Sequence, residues 1–446
     1  MPRVFVVPVC EEWLVYAPLE RVTAAANSAA VAELSRGEPS RLREALAGTT
    51  EAEPRPREGP VDPQFFGIVP TRACNLACVY CGFGSSPCAE RMAPQLAVAG
   101  VNWMAGHAAR RGRTTLDVHF FGGEPFTAFA VVEAAVERTR SAAAEKGLAT
   151  HLEVATNGVY SEERARFAGE AFDKVVLSVD GFAEAHDCHR PFPGGSGSFN
   201  QVARTARVLS RSRAELCLRI CVAGDNVEDL PESVAWLCEE FHPSSIDFET
   251  LQPTPESERA GLRPPDPYVF SVRFLEARRA AVERGVDAIY AAALTEKPRL
   301  SFCPVGNDTL ILHPDGRLSA CYLPESDWQA RGMDLDLGRL VEGEMELAPA
   351  AVERVRTLVA EKPRCDACFC RWSCAGGCHV NHSYPGCSGA YGSFCIQTRI
   401  LTACSLLCGL GLTSLADELA GSRESMERLA LWPSDRLEDW GARAGG

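Results

Sequence analysis

Thr71-Arg72-Ala73-Cys74-Asn75-Leu76-Ala77-Cys78-Val79-Tyr80-Cys81 is the stretch whose reading decides the fold. It sets three thiols at C-x3-C-x2-C spacing, directly after the apolar run Phe65 to Pro70. Thiolates on so short a loop can converge on one soft metal centre. Three ligands are one fewer than a closed tetrahedral site takes. A [4Fe–4S] cube held by Cys74, Cys78 and Cys81 therefore keeps one iron free. A strand that ends in such a loop and is followed by a helix sets that iron at the mouth of an α/β fold, where ligands bind. The alternatives are a zinc site or a disulfide pair. Zinc usually takes paired C-x2-C units, and the third thiol would need a distant partner.

The spacing, with Tyr80 as the aromatic before the last cysteine, resembles the signature loop of the radical S-adenosylmethionine (SAM) enzymes. The resemblance implies that the open iron chelates the amino and carboxylate groups of SAM. It also implies that an electron from the cluster splits SAM to a 5′-deoxyadenosyl radical, which abstracts hydrogen from a substrate.

The chain has 446 residues, enough for a barrel-sized domain with one or two smaller ones. Its net charge of −14 argues against broad binding to nucleic acid or anionic membranes. No apolar run approaches a membrane span, and the start, Met1-Pro2-Arg3-Val4-Phe5-Val6-Val7, lacks a signal peptide's core and cleavage site. The expected location is the cytoplasm. Twenty cysteines are many for a reducing compartment, where clustered thiols bind metal or do redox work more often than they pair. Three lie in the opening loop and ten between Cys321 and Cys408, which marks two cysteine-dependent regions.

Residues 1–36 open with strand-like runs at Val4–Val9 and Trp13–Ala17, followed by a helical pattern from Val22 to Leu34. This piece is too small to bury much core alone. It reads as a flap on the barrel, or as an edge strand that pairs with an extended peptide. Residues 37–63 turn to Pro, Glu, Arg and Gly and read as a linker or mobile segment. From Phe65 to about Ala291 strand and helix patterns alternate. Strands are expected at Phe65–Val69, Leu116–Phe121, Leu152–Ala155, Val175–Val179, Leu216–Val222 and Ser245–Glu249. Helices are expected at Ala128–Lys146, Gln201–Ser210, Val227–Phe241 and Val269–Arg284. Six such units predict a parallel sheet with helices outside, a partial (β/α)6 barrel over 64–295; the resemblance implies the same. Residues 409–446 read as amphipathic helix with a polar end.

The second strand runs into Phe121-Gly122-Gly123-Glu124, where two glycines allow close approach of a backbone to a ligand. Placed one βα unit after the cysteine loop, it is similar to the family's G-G-E motif. The resemblance implies that Gly122, Gly123 and Glu124 hold the amino end of SAM's methionine. Thr156-Asn157-Gly158 and Ser178-Val179-Asp180-Gly181 end the next two strands. Asn157, Ser178 and Asp180 suit ribose hydroxyls, or equally helix caps. Ser178 to Phe199 resembles a segment of peptide-modifying radical SAM enzymes related to sulfatase maturases. Within it His186 and Arg190 are candidates to contact carboxylates of SAM or substrate, or to pin the loop. Glu249 and Gln252, at the end of the sixth strand, and Tyr322 are substrate-side candidates; a one-residue slip of register would turn Glu249 and Gln252 away.

In the second cysteine region Ile311 to Cys321 reads as a β-hairpin with its turn at Asp315-Gly316. Cys365-x2-Cys368-x5-Cys374-x3-Cys378 follows, then Cys395. Zinc could fill these spacings. With Cys303 and Cys321 they resemble the SPASM extension, over 296–408, which carries two auxiliary iron–sulfur clusters. The resemblance implies one cluster on Cys303, Cys321 and Cys378, and another on Cys365, Cys368, Cys374 and Cys395. Only one cysteine stands close ahead of the hairpin, so the first has an open iron or takes a fourth ligand from Cys370, Cys387, Cys404 or Cys408. The spare cysteines can equally be buried apolar residues.

The function these readings predict is oxidative modification, by crosslinking or dehydrogenation, of a ribosomally made precursor peptide. An electron donor such as flavodoxin or ferredoxin would serve it, without nucleic-acid or membrane partners. Formylglycine formation as in sulfatase maturases, a small-molecule radical dehydrogenase, and a non-enzymatic electron carrier are the alternatives. Formylglycine formation is weakened because Tyr322 stands where that family has an Asp base, and a phenol is a poor base at neutral pH. The G-G-E motif argues against a carrier, which needs no amino-acid chelate.

Overall fold

A computed structural model describes residues 4–48, 51–83, 90–358, 362–380 and 391–440. Cys387 and the terminal 441–446 lie outside the described residues.

Strands β1 (Phe5–Val9), β2 (Glu12–Ala17) and β3 (Val22–Ala26) form an antiparallel meander, followed by a helix at Ser28–Arg36. The helical expectation for Val22–Leu34 is therefore half right. Val22–Ala26 pairs residue by residue with Ala17–Trp13, and the helix starts only after Asn27, whose side chain accepts from the Ala30 N–H. The alanine run favours helix locally, but β2 is almost wholly buried and its backbone needs a partner on that edge. Tertiary demand overrides propensity here. One face of the meander (Phe5, Val7, Val9, Leu14, Tyr16) joins the main core; the other (Val6, Trp13, Val15) makes a small core of its own with Trp440. The Pro- and charge-rich stretch that follows contains a helix, Arg41–Leu46. Its end is pinned: the Asp62 carboxylate meets His107 at 3.0 Å and Arg113 at 2.6 Å.

The large sheet begins with β4 (Phe66–Ile68), β5 (Thr115–Phe120), β6 (Ala149–Thr156), β7 (Lys174–Ser178), β8 (Glu215–Val222), β9 (Ser245–Thr250) and β10 (Asp287–Ile289), all parallel and in sequential order. The six expected strands are present within a residue or two at each end, except that β6 starts three residues earlier, and β10 adds a short seventh. Beyond β4 the same sheet continues through β11 (Leu310–Leu312), β12 (Arg317–Ser319), β13 (Asp336–Val341) and β14 (Glu344–Leu347). β11 is parallel to β4, and the β11–β12 hairpin turns at Gly316, whose φ of +84° needs glycine. β10 and β14 are its two edges, so the sheet is a partial barrel.

A parallel sheet is normally apolar on both faces because both are covered. Here one face is apolar: Leu116, Val118, Phe120, Leu152 and Val154 are buried in the main core. The other face carries Asp117, His119, His151, Glu153, Arg219, Asp247 and Glu249, all at least partly reachable by solvent. That alternation makes the concave side a polar chamber rather than a packed interior.

Candidate active site

The cysteine loop leaves β4 over the top of this chamber. Thr71 is buried and its hydroxyl accepts from the Ala73 N–H at 2.9 Å, a tight turn that aims Cys74 inward. The Cys74 sulfur accepts from the Leu76 N–H at 3.4 Å and from Asn157 Nδ2 at 3.5 Å. Burial pushes the Cys74 thiol up to about 11 and the Cys78 thiol up to about 12, and raises Cys81 as well. Buried thiols of this kind become thiolates when a metal centre compensates their charge, and N–H···S donors suit a ligating sulfur. The loop fits an iron–sulfur cluster on both counts.

Gly122 and Gly123 lie against the start of the loop. Gly123 N–H donates to Thr71 O at 3.0 Å and Glu124 N–H to Ala73 O at 2.8 Å. A Cβ at Gly122 would stand 2.6 Å from Thr71 O, and one at Gly123 would fall onto the Arg72 and Ala73 carbonyls. The glycines are thus demanded by the loop itself. Glu124 is 1 % exposed, and its carboxylate accepts from Phe126 N–H (3.0 Å), Thr156 Oγ1 (2.9 Å) and Asn157 N–H (2.7 Å). Burial outweighs these donors and pushes its pKa up to about 7. Asn157 Nδ2 also donates to Asn75 Oδ1 at 2.9 Å, and Asn75 Nδ2 to Val159 O at 2.6 Å. Glu124, Asn157 and Asn75 therefore tie the ends of β5 and β6 to the first thiol; Asn75 was not singled out from sequence.

Asp180 is wholly buried at the end of β7. Its carboxylate accepts from Tyr80 Oη (2.7 Å), Arg190 Nε (2.9 Å) and Nη2 (3.2 Å), and the Cys221 N–H (3.0 Å), with His189 Nδ1 3.4 Å away. Burial alone would raise it; the Arg190 charge and the His189 and Arg190 contacts override that and hold it well below the usual carboxylate range. Every oxygen of Asp180 is thus engaged within the chain, and so is most of Arg190, whose guanidinium also lies 5.4 Å from the Tyr80 ring centre. The group fastens Tyr80, between two of the three thiols, to the end of β7 and to β8. His186 bonds Ser198 Oγ at 3.1 Å and receives the Asp180 N–H at 3.3 Å, so it pins the Ser178–Phe199 segment. Burial drops its pKa to about 4. Ser178, half-buried beside Arg219, is left facing the chamber.

Of the substrate-side candidates, Glu249 lies in the chamber, close to Arg219, which pairs with Asp247 at 3.2 Å. Desolvation by the chamber walls raises the Glu249 carboxyl against that cation, although the side chain itself stays open to solvent. Gln252 folds back onto Thr250 O at 3.2 Å. Tyr322 reaches in from beyond β12: a Cβ on Gly67 would stand 2.6 Å from its hydroxyl, and Phe121 packs on its ring at 5.0 Å. Arg72 joins the two regions, donating to Tyr322 O and meeting His313 Nδ1, both at 2.8 Å. Sequence reasoning did not single out Asp327. Its carboxylate would stand 3.0 Å from a Cβ on Gly82, and its charge reaches Cys81.

The remaining thiols sort into two groups. Burial raises Cys303 to about 12 and lifts Cys321 further, and both feel the charge of Cys378. Cys365, raised by burial to about 12, and Cys374 feel Cys368 and Cys395 instead. Cys365, Cys368, Cys374 and Cys395 line one cavity, partly open to solvent, with Cys370, Tyr391 and Arg399. Arg399 Nη1 donates to Cys368 Sγ at 3.4 Å and is held by Asp435 at 2.6 and 2.9 Å, all buried. Cys370 belongs with this group, and Cys404 is buried near Cys408 and Cys10, so neither stands with Cys303. Lys362, buried between the groups, bonds Gly376 O at 2.7 Å and is within reach of the charge of Cys303, Cys365, Cys374 and Cys378.

Comparison with known proteins bears on this arrangement. No curated protein matches the sequence. A solved structure of anSMEcpe with bound AdoMet and Cp18Cys peptide is 19% identical, with a TM-score of 0.61 over 80% of this chain and 100% of that one. Streptococcus suis SuiB bound to S-adenosylmethionine is 11% identical, with a TM-score of 0.53 over 85% of this chain and 95% of that one. SuiB has also been solved with its precursor peptide SuiA. At such identities the likeness is one of fold. No helix among the described residues is long and apolar enough to cross a membrane. Residues 68–237 match the Radical SAM superfamily, which implies a [4Fe–4S] cluster and SAM. The chain thus carries a radical SAM domain, and its barrel and C-terminal cysteine region share the fold of SPASM-type enzymes.

Proposed function

We propose that this protein oxidatively modifies a ribosomally made precursor peptide, by crosslinking or dehydrogenation, with electrons entering from a flavodoxin- or ferredoxin-type donor. Cys74, Cys78 and Cys81 would hold the cluster and the G-G-E wall the amino end of SAM. When bound, these supply a 5′-deoxyadenosyl radical that removes one hydrogen atom from the peptide. The chain's own residues orient that peptide, exclude water and take up a proton, and the auxiliary clusters held by its C-terminal thiols would accept the second electron. The observation that carries the reading is the separation of the C-terminal thiols into two groups, the nearer reaching the chamber through Cys321 and Tyr322. Two auxiliary clusters at these groups would give an electron a route out of the substrate. The free edge of β3, unpaired among the described residues, supports peptide capture by strand addition over residues 1–36.

The test is anaerobic incubation of the reduced, cluster-loaded protein with SAM and a small peptide encoded beside its gene, read by mass spectrometry. Loss of two hydrogens per modification is expected. An unchanged peptide together with turnover of a small molecule would overturn the reading. Formylglycine formation is the second reading, favoured by Asp327, which supplies near Cys81 the carboxylate that Tyr322 cannot. A cysteine- or serine-containing sulfatase peptide converted by the wild type but not by Asp327→Asn would select it.

A further inference from the structure

The floor of the chamber holds a cluster that the radical chemistry does not use. Asp117 and His119 project from β5 and His151 from the neighbouring β6, all on the chamber face. Their ligand atoms lie within 4.8 Å of one another. Asp117 Oδ1 is 2.7 Å from His119 Nε2 and 2.9 Å from His151 Nδ1, and Glu153 Oε1 stands 3.9 Å from His119 Nδ1. Ligand atoms at right angles around an ion about 2.1 Å away stand about 3.0 Å apart, close to the 2.7 and 2.9 Å that separate Asp117 Oδ1 from the two imidazole nitrogens. Phe65 stacks on His119 at 4.5 Å and fixes its ring.

Two further observations point to a cation. Among the described residues neither Asp117 nor Glu153 forms an ion pair with a lysine or arginine, although Lys174 is Glu153's neighbour in the ladder. The buried Tyr322 hydroxyl has no hydrogen-bond partner and lies within reach of both carboxylate charges. Two imidazoles and a carboxylate on adjacent strands, with open positions toward a chamber, make a donor set for a divalent transition metal.

We propose that Asp117, His119 and His151 bind a divalent transition-metal ion of the manganese, iron(II) or zinc class, with Glu153 beside it. Tyr322, on which the Asp117 and Glu153 charges act, adjoins the site. The site is independent of the cysteines and of which substrate the enzyme modifies.

Cluster-loaded full-length protein is titrated with Mn2+ and followed by electron paramagnetic resonance, including the spin-echo modulation from imidazole nitrogen. About one equivalent should bind with two imidazole nitrogens. His119→Ala or His151→Ala should weaken binding on the order of 100-fold, while Gly194→Ala, where a Cβ meets nothing within 4 Å, leaves it intact. Asp117→Asn, nearly isosteric, reports on the site if a histidine variant is unstable, and should also lose the ion. A free-aquo Mn2+ signal in the wild type, bound ion without imidazole modulation, or undiminished binding in both His119→Ala and Asp117→Asn overturns the proposal.

Discussion

Gly123→Ala puts the link between the G-G-E segment and the cysteine loop to a quantitative test. An added Cβ would stand 2.6 Å from Arg72 O and closer still to Ala73 O. Restoring an ordinary 3.4 Å contact with Arg72 O alone moves the two segments apart by about 0.8 Å. The hydrogen bonds Gly123 N–H to Thr71 O (3.0 Å) and Glu124 N–H to Ala73 O (2.8 Å) then stretch out of range. Two lost hydrogen bonds at about 1 kcal/mol each and about 1–3 kcal/mol of overpacking come to about 3–5 kcal/mol. That is a large share of a domain's usual stability of about 5–15 kcal/mol. Ala73 immediately precedes Cys74, so the first thiol shifts with it. A displacement approaching 1 Å at a reacting centre costs on the order of 100-fold in rate. The assay is formation of 5′-deoxyadenosine by reduced protein, with iron content and melting temperature measured on the same samples. Gly194→Ala is the control, because a Cβ there meets nothing within 4 Å. Gly123→Ala protein that melts, loads iron and cleaves SAM like the control would refute the reasoning.

Asp180→Asn leaves the buried Arg190 charge without its partner and should destabilise the barrel by about 3–5 kcal/mol in denaturant unfolding, with Asp180→Asn/Arg190→Met recovering part of the loss. Glu124, whose carboxyl is raised to about 7 in the fold, favours the folded state fully below the ordinary carboxyl range, and that contribution declines as pH rises through about 7. Unfolding midpoints should therefore fall between pH 5 and pH 8, by the equivalent of about 3 kcal/mol, and Glu124→Gln should flatten the slope; an unchanged slope refutes this. Asp435→Asn removes the buried anchor of Arg399 beside Cys368 and should cost about 3–5 kcal/mol, along with a weakened charge-transfer band if that thiol ligates iron. Cys365→Ser and Cys395→Ser should each lower iron content, whereas Cys404→Ser, in a helix contact, should not.

What the sequence disclosed follows the range of the forces involved. The cysteine loop and G-G-E are short-range patterns, and their chemistry can be read from spacing. The strands of the barrel followed from apolar runs broken by helix signals. Alanine-rich β3 went astray because its partner, not its composition, decides it. Asp180 suited a ribose by type, yet its oxygens are claimed by Tyr80, a hundred residues earlier, and by Arg190. No local rule reveals that. Asp117, His119 and His151 alternate with apolar neighbours as any half-exposed strand would; only barrel curvature decides that they share a chamber. Asp327 comes near Cys81 through a helix placed by the hairpin.

β4, which launches the cysteine loop, is hydrogen-bonded directly to β11, and β12 ends just ahead of Cys321. The two thiol-bearing loops thus spring from the same ladder, with no hinge between them. Whatever centres they carry are held at a constant separation, as by rungs of a ruler. Tunnelling rates fall steeply with every ångström of gap, so such a mount would let electron exchange between them proceed without waiting for one lobe of the protein to swing toward the other.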